Sequence, residues 1–139
     1  MFNRILVPVD LEHVAKIEKA LKTAAEFAKR HNAPVCYVAV SGRVPNRVAP
    51  SPEEFEVQLN MFAREQADKH GIETECTAVY SVDVAVELDD KLLEAIDAVG
   101  ADLVVMASHI PGVADRLHLI SSNAAYVVKH SSVSIFVVR

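Results

Sequence analysis

The sequence predicts one doubly wound α/β domain, because short β-branched runs alternate with amphipathic segments and because the length suits a single core. The chain has 139 residues, of which 51% are hydrophobic and 24% are charged, as is typical of a globular domain. The strand-like runs are apolar without alternation, which indicates a sheet covered by helices on both faces. Strands that alternate with helices pair in parallel through right-handed crossovers. We therefore expect residues 1–139 to form one domain around a mostly parallel sheet.

The strands are recognised by the length and composition of apolar runs, and the helices by the spacing of their apolar residues. Five runs have the length and composition of buried strands, at residues 4–9, 34–40, 73–80, 102–106 and 133–138. Four segments space their apolar residues by three and four, which predicts helices at residues 13–31, from residue 51 onward, from about residue 88 to 99, and at 122–130. Loops are expected at 41–50 and from residue 107 to about residue 120. Residues 81–87 are ambiguous between an extended strand and a long loop.

Helix boundaries have their own signals. Ser51, Pro52 and Glu54 combine an N-cap, a proline suited to the first helical position and a capping box. Gly71 and Gly100 are each expected to end a helix, because glycine readily adopts the left-handed conformation found there. These signals mark both ends of the second helix and the C-terminal end of the third.

Charge and composition exclude several function classes. The net charge is −5 and the basic residues are spread out, so we expect no nucleic-acid binding through phosphate neutralisation. The N-terminus enters an apolar strand at once, with no signal peptide and no run long enough to span a bilayer. A cytoplasmic location is therefore expected. Cys36 and Cys76 lie in predicted strands, where free thiols are expected rather than a disulfide.

No metal site is expected from the six histidines. His31 precedes Cys36 by five positions and His70 precedes Cys76 by six, so these two pairs are the available Cys₂His₂ set. No Cys-x-x-Cys pair anchors that set, and each cysteine lies in a strand while its histidine lies at a helix end. At a helix C-terminus a protonated imidazole complements the helix dipole, which is the simpler role for both histidines.

Doubly wound sheets bind ligands beyond the carboxyl ends of their strands, where the winding reverses. Three segments lie there in this chain, at residues 10–11, 40–41 and 107–122. The first of them is preceded by Arg-Ile-Leu-Val-Pro-Val-Asp at residues 4–10. The third is preceded by Gly-Ala-Asp-Leu-Val-Val-Met-Ala-Ser-His at 100–109 and followed by Ser-Asn-Ala-Ala-Tyr-Val-Val-Lys-His at 122–130, with a last strand at 133–139.

Taken together, in this order and at this spacing, these blocks resemble the universal stress protein family over nearly the whole chain. The resemblance implies a strand order of 3-2-1-4-5 and an adenine nucleotide, ATP or AMP, as the cofactor, with Mg²⁺ only where ATP binds. It implies contacts to the nucleotide from the ends of the first, second and fourth strands and from the start of the last helix, namely from Pro8, Val9, Asp10, Ala39, Ala107, Ser108, His109, Ser121, Ser122 and Asn123.

The chain departs from the family in the loop that binds phosphates. ATP-binding members carry Gly, two residues, Gly, nine residues, then Gly and Ser or Thr. Here Ala107, Ile110 and Ser121 stand at the three glycine positions, and ten residues instead of nine separate the last two. The glycine expected after the third strand is also missing. Because Ile110 has a branched side chain and Pro111 lacks an N–H, we expect the phosphate-binding loop to be weakened.

Several of the predicted nucleotide-binding residues also have a purely structural interpretation. Asp10 either contacts ribose or adenine, or caps the helix that follows its strand. Ser108 and His109 either contact phosphate or make hydrogen bonds within the loop. Ser121 and Ser122 are expected to cap the last helix, whose N-terminus remains suited to an anion.

Three functions remain open at this stage. The first is a stress-response regulatory module that senses an adenine nucleotide, and the second is a nucleotide-free dimer that binds a protein partner. The third, a slow nucleotide hydrolase, ranks below both because no catalytic base stands beside a metal site. A homodimer through the last strand, 133–138, is expected because that strand is an apolar sheet edge. The alternative is a monomer whose edge is shielded by the 41–50 loop.

Overall fold

The computed structural model describes residues 1–42, 49–108 and 122–139. Five strands form one sheet, and every neighbouring pair is parallel. The strand order is β3-β2-β1-β4-β5, which confirms the predicted order. The strands are β1 (Ile5–Pro8), β2 (Val35–Gly42), β3 (Thr74–Ser81), β4 (Leu103–Ala107) and β5 (Ser134–Val138).

Four α-helices alternate with these strands, at α1 (Glu18–His31), α2 (Pro52–His70), α3 (Val84–Val99) and α4 (Ser122–His130). A short 3₁₀ helix, Val14–Ile17, precedes α1, so the predicted helix at 13–31 is divided at Ile17, whose φ of −106° and ψ of 7° lie outside the α-helical region. Within the described ranges, no helix is both long enough and apolar enough to cross a membrane.

The predicted boundaries of α2 are confirmed. Ser51 lies just before the helix, and its side-chain oxygen accepts a hydrogen bond from the backbone N–H of Glu54 at 3.2 Å. Pro52 occupies the first turn, where a missing N–H does no harm. At the other end Gly71 has a φ of 64°, and Gly100 ends α3 with a φ of 72°. Both glycines occupy the left-handed region that the sequence predicted for them.

The interpretation of residues 81–87 as a strand or a long loop was wrong. The strand β3 ends at Ser81, and α3 already begins at Val84. The helix can start this early because Glu87 Oε1 accepts hydrogen bonds from the backbone N–H groups of Val82 and Asp83, both at 3.1 Å. These contacts satisfy donors that the first turn of a helix otherwise leaves unpaired.

The two faces of the sheet hold separate apolar cores, as a doubly wound sheet requires. The side chains on one face pack against α1 and α2, through Leu21, Ala24, Leu59 and Phe62. The side chains on the other face pack against α3 and α4, through Leu92, Ile96, Ala124 and Val127. The central strands β1 and β4 contribute to both cores, and their residues 5–7 and 103–106 are at most 3% exposed.

Hydrogen bonds to a single carboxylate join β1 to β4 at the amino end of the sheet. The carboxylate of Asp102 accepts from the backbone N–H groups of Asn3 (2.9 and 3.0 Å) and Arg4 (3.1 Å), and from the Asn3 side-chain amide at 3.1 Å. Burial raises the pKa of Asp102, but the donors from Arg4 and Asn3 together outweigh it and hold the pKa below its usual range. This contact fixes the start of β1 beside the start of β4.

Replacing Asp102 with asparagine should lower the free energy of unfolding at pH 7 by about 1–2 kcal/mol, because hydrogen bonds to a charged acceptor are lost. The folded-state pKa is lowered, so this stabilisation is present above the unfolded pKa of about 3.9 and disappears as pH falls through the folded value. Urea unfolding of both proteins between pH 7 and pH 3 measures the difference. A difference that stays constant down to pH 3 would contradict this role for the carboxylate.

Tyr37 and Tyr80 provide a comparison between a fully buried phenol and a half-buried one. Tyr37 is fully buried against Phe62, and its hydroxyl has no hydrogen-bond partner among the described residues. The hydroxyl of Tyr80 donates to the carbonyl of Pro52 at 3.0 Å. An unpaired buried hydroxyl is unfavourable, whereas a paired one contributes stability.

We expect Tyr37→Phe to leave the free energy of unfolding unchanged or to raise it by about 1 kcal/mol, and Tyr80→Phe to lower it by about 1 kcal/mol. Urea unfolding at a single pH compares the two variants with the parent. If Tyr37→Phe is the more destabilising of the two, its hydroxyl has a partner such as an internal water, and the interpretation fails.

Candidate functional site

The strands β1 and β4 pair only at their amino ends. Their register runs Ile5↔Leu103 and Leu6↔Val104 and then stops. On either side the pairing continues, because β1 stays with β2 as far as Pro8↔Val38 and β4 stays with β5 as far as Ala107↔Val138. The carboxyl ends of β1 and β4 therefore separate at the point where the winding reverses, which is where such sheets bind ligands.

Pro8 gives a local reason for this separation. The N–H groups of Ile5 and Val9 both point towards β2, where they donate to the carbonyls of Pro34 (3.0 Å) and Val38 (2.8 Å). Alternate N–H groups of a strand point to opposite neighbours, so residue 8 would donate towards β4. As a proline it has no N–H to donate. The sequence therefore removes a ladder hydrogen bond at the place where the two strands part.

The chain leaves β1 in a tight turn around Asp10. Asp10 Oδ1 accepts from the backbone N–H of Glu12 at 3.0 Å, and Asp10 Oδ2 lies 2.9 Å from Nδ1 of His13. The backbone carbonyl of Asp10 also accepts from the N–H of His13 at 3.0 Å. Asp10 thus stabilises the turn before the 3₁₀ helix, and neither that helix nor α1 has a side-chain cap, so the predicted capping of the following helix by Asp10 is not seen. Its carboxylate is about one-third exposed, so it also faces solvent at the rim of the opening.

This turn is also the one group of three potential metal ligands among residues 1–42, 49–108 and 122–139. Ligand atoms of Asp10, Glu12 and His13 all lie within 4.8 Å of one another. All three residues are at least partly exposed and belong to one four-residue segment. The hydrogen bonds of the turn already account for the position of the Asp10 carboxylate, so the grouping needs no ion to explain it.

The other predicted site residues on the strands are enclosed by the protein. Val9, Ala39 and Ser108 are 7%, 1% and 4% exposed, while Pro8 and Ala107 are half-buried. The N–H of Ser108 donates to the carbonyl of Val138 at 2.8 Å, which keeps the chain leaving β4 beside β5. Pro8 and Val9 at the end of β1 and Ala107 and Ser108 at the end of β4 stand on the two sides of the opening, whereas Ala39 lies on β2. His109, Ser121 and the side chain of Ser122 lie outside the described residues.

On one face of the sheet, two polar contacts join α3 to α4. With its amide oriented to satisfy both groups, Asn123 Nδ2 donates to both carboxylate oxygens of Asp89, at 2.8 and 3.2 Å. One turn further along α4, the Tyr126 hydroxyl donates to Asp90 Oδ1 at 3.0 Å. Asn123 was predicted to contact a nucleotide, and in this structure its amide joins the two helices. We call these four residues the α3–α4 seam.

The seam changes the acidity of its members. Burial raises the pKa of Asp89, and the neighbouring Asp90 carboxylate raises it further. The hydrogen bond to Asp90 raises the pKa of the Tyr126 phenol. Sequence periodicity contains no signal for these contacts. The adjacent acids at 89–90 and the polar residues at 123 and 126 become informative only when α3 and α4 are known to pack together.

The predicted free thiols are confirmed for Cys36 and Cys76. Cys36 is buried, and burial raises the pKa of its thiol. Cys76 is half-buried and its Sγ donates to Asn60 Oδ1 at 3.4 Å. It lines a shallow cleft of about 310 Å³ between α2 and β3. This cleft lies at the β3 edge of the sheet, away from the opening between β1 and β4.

The fold agrees with comparisons to known proteins. The sequence matches the model of the universal stress protein family over residues 1–139. The chain belongs to this family. Among curated relatives of this universal stress protein is universal stress protein G of Salmonella typhimurium, 27% identical over 150 aligned positions that span all of both chains.

Solved structures give the same fold. A universal stress protein from Archaeoglobus fulgidus superimposes with a TM-score of 0.72 at 21% identity, over all of both chains. A universal stress protein in complex with cAMP superimposes with a TM-score of 0.70 at 20% identity, over 99% of this chain and 97% of that one. These similarities show that the fold is that of the solved universal stress proteins, one of which was solved with cAMP bound.

Proposed function

We propose that this universal stress protein is a stress-response regulatory module that binds an adenine nucleotide in the opening between the carboxyl ends of β1 and β4. The observation that supports this most directly is the loss of β1–β4 pairing beyond Leu6 and Val104. The opening lies at the reversal of winding, where doubly wound domains bind their ligands. Pro8, Val9, Asp10, Ala107 and Ser108 line it, and the complex of a similar fold with cAMP is consistent with the assignment.

Asp10 is the polar group best placed to hold the nucleoside. Its Oδ1 is fixed by the Glu12 N–H, and its carboxylate remains partly exposed at the rim. An oriented carboxylate can accept hydrogen bonds from ribose hydroxyls or from the adenine amino group. Capping the turn and binding the nucleoside are therefore compatible roles for one side chain.

In this proposal the protein holds the phosphate groups of the ligand less strongly than it holds the adenosine part. Ala107, Ile110 and Ser121 replace the three glycines of the family's phosphate-binding loop. A cradle of backbone N–H groups needs close approach without a Cβ. We therefore propose binding without designed turnover, with most of the affinity coming from the adenosine part. The cytoplasmic location expected from the sequence is part of this proposal.

A second function is favoured by the exposed edge of the sheet. Among the described strands β5 has no neighbour beyond it, and the Phe136 side chain on it is 45% exposed. Such an edge can pair with a second copy. A nucleotide-free dimer through residues 133–138 that binds a protein partner is the alternative. Of the 41–50 loop, which would shield this edge in a monomer, residues 43–48 lie outside the described residues.

Thermal unfolding followed by circular dichroism tests the proposed binding, since the chain has no tryptophan for fluorescence. A ligand at a hundred times its Kd adds about 2.7 kcal/mol to the free energy of unfolding, which raises Tm by a few degrees in a domain of this size. We expect saturable shifts with AMP, ADP and Mg-ATP. Asp10→Ala should remove most of each shift.

Asp68→Ala is the matched control, because it removes an exposed carboxylate near the end of α2, which leads into the amino end of β3 and so lies away from the opening. It should leave the shifts unchanged. The absence of a shift with every nucleotide at millimolar concentration would overturn the sensing function and favour the partner-binding dimer. Equal losses in the Asp10 and Asp68 variants would overturn the role given to Asp10.

A further inference from the structure

The strand β3 forms the second edge of the sheet, at the opposite end of the strand order from β5. It is eight residues long, whereas β5 has five. On one side it pairs with β2 over its whole length, from Val35↔Thr74 to Gly42↔Ser81. Among the described strands, none lies on its other side. A long edge of this kind presents a row of backbone groups with which another chain can pair.

The backbone of β3 divides its hydrogen-bonding groups between β2 and the outer side of the sheet. The N–H of Val35 donates to the carbonyl of Glu73 at 3.0 Å, so the odd-numbered residues of this segment face β2. The N–H and C=O groups of Thr74, Cys76 and Ala78 therefore point away from the sheet. No hydrogen bond joins these groups to any residue in the described ranges 1–42, 49–108 and 122–139.

The α2 helix runs beside this edge in the opposite direction. The Thr74 hydroxyl donates to the carbonyl of Ala63 at 2.8 Å, and at the other end of β3 the Tyr80 hydroxyl donates to the carbonyl of Pro52 at 3.0 Å. Between these contacts lies the shallow cleft of about 310 Å³, which we call the α2–β3 cleft. It is lined by Glu56, Leu59 and Asn60 from α2 and by Cys76, Thr77 and Ala78 from β3. Two of the residues with unpaired backbone groups are thus part of its wall.

The α2–β3 cleft has the dimensions for one added strand. Four helical residues rise about 6 Å, and two strand residues rise about 6.6 Å. Alternate side chains of a strand added beside β3 would therefore match the spacing of Glu56 and Asn60. The side chains of Cys76 and Ala78 are small and pack towards the core under α2. A strand edge flanked by a helix is a surface to which extended peptides add by backbone pairing.

The charge of the α2–β3 cleft favours a basic side chain. Glu56 is the one charged residue that lines it, and its side chain is exposed. Glu56 makes no ion pair with any residue that the structure describes. Burial raises the pKa of the Cys76 thiol, and the Glu56 carboxylate raises it further, as expected for a negative charge beside this edge.

A second copy of the chain would fit this edge poorly. Antiparallel pairing of β3 with the same strand of another copy would set the two α2 helices side by side. Two Glu56 carboxylates would then face each other across the pair, and like charges in such positions are destabilising. The same carboxylate attracts a lysine or arginine carried by a different chain.

We propose that the α2–β3 cleft binds an extended segment of a partner protein, which adds a strand beside β3 and carries a lysine or arginine opposite Glu56. Backbone pairing supplies affinity for many sequences, and Glu56 supplies the preference for a basic side chain. The inference goes beyond the proposed nucleotide-binding function and does not depend on it. In the strand order, β2 separates this edge from β1 and the opening.

Amide chemical shifts of the ¹⁵N-labelled full chain test the inference, during titration with a short capped peptide in which lysine alternates with threonine. A peptide with glutamate in place of lysine tests the charge. Two further lysine peptides are N-methylated, one at every lysine amide and the other at every threonine amide. Because alternate amides of a strand point to opposite sides, one methylated form should lose binding and the other should keep it.

Glu56→Gln removes the charge from the α2–β3 cleft without removing a buried group. Glu65→Gln is the matched control, because Glu65 is an exposed acid of the same helix that does not line the cleft. In the parent, the lysine peptide should produce saturable changes centred on residues 76–78. At low ionic strength, Glu56→Gln should weaken its binding by about two- to fivefold. Glu65→Gln should leave it unchanged, and the glutamate peptide should bind more weakly than the lysine peptide.

Four results would overturn the inference. The first is no change at millimolar lysine peptide, or changes spread over the whole surface. The second is equal binding of both methylated peptides, which indicates attraction by charge without strand addition. Equal losses in the Glu56 and Glu65 variants would remove the role given to Glu56. Changes at residues 76–78 that depend on protein concentration alone would show that a second copy occupies the edge.

Discussion

The separation of β1 from β4 is the constraint on which the rest of the site depends. Two register pairs hold these strands together at Leu103 and Val104, and the Asp102 carboxylate fixes their amino ends. Beyond Leu6, β1 follows β2 and β4 follows β5, so the two halves of the sheet diverge. Pro8 has no N–H to donate to β4. The amino-acid sequence therefore favours the opening directly, in addition to the reversal of winding in the sheet. A parallel sheet closed along its whole length would leave no place for a ligand there.

The helices extend this division across one face of the sheet. The α3 helix covers β1, β2 and β3, and α4 packs beside α3 over the same apolar core, so the boundary between the two helices needs contacts of its own. Polar groups provide these contacts, through Asp89 with Asn123 and Asp90 with Tyr126.

Much of the fold could be predicted from the sequence, because its determinants are local. Apolar runs, helical spacing and the residues Ser51, Gly71 and Gly100 each act within one element, and the structure agrees with them. Residues 81–87 were misjudged because Val82, Val84 and Val86 alternate as in a strand, while the Glu87 side chain that starts the helix acts through space. The contact between Asp89 and Asn123 could not be predicted, since it joins residues 34 positions apart in sequence. The resemblance to universal stress proteins indicated the ends of β1 and β4 as the candidate site. The contact by which Asn123 joins two helices could be found only from the three-dimensional structure.

Occupancy of the opening between β1 and β4 by an adenine ligand is the central proposal for this protein. Amide chemical shifts of ¹⁵N-labelled protein, recorded by NMR during titration with AMP, test it most directly because they locate the ligand. We expect saturable changes centred on Val9, Asp10, Ala107 and Ser108, with the amides around Asn60 and Cys76 unaffected. Changes centred on the cleft between α2 and β3, or none at millimolar AMP, would contradict it.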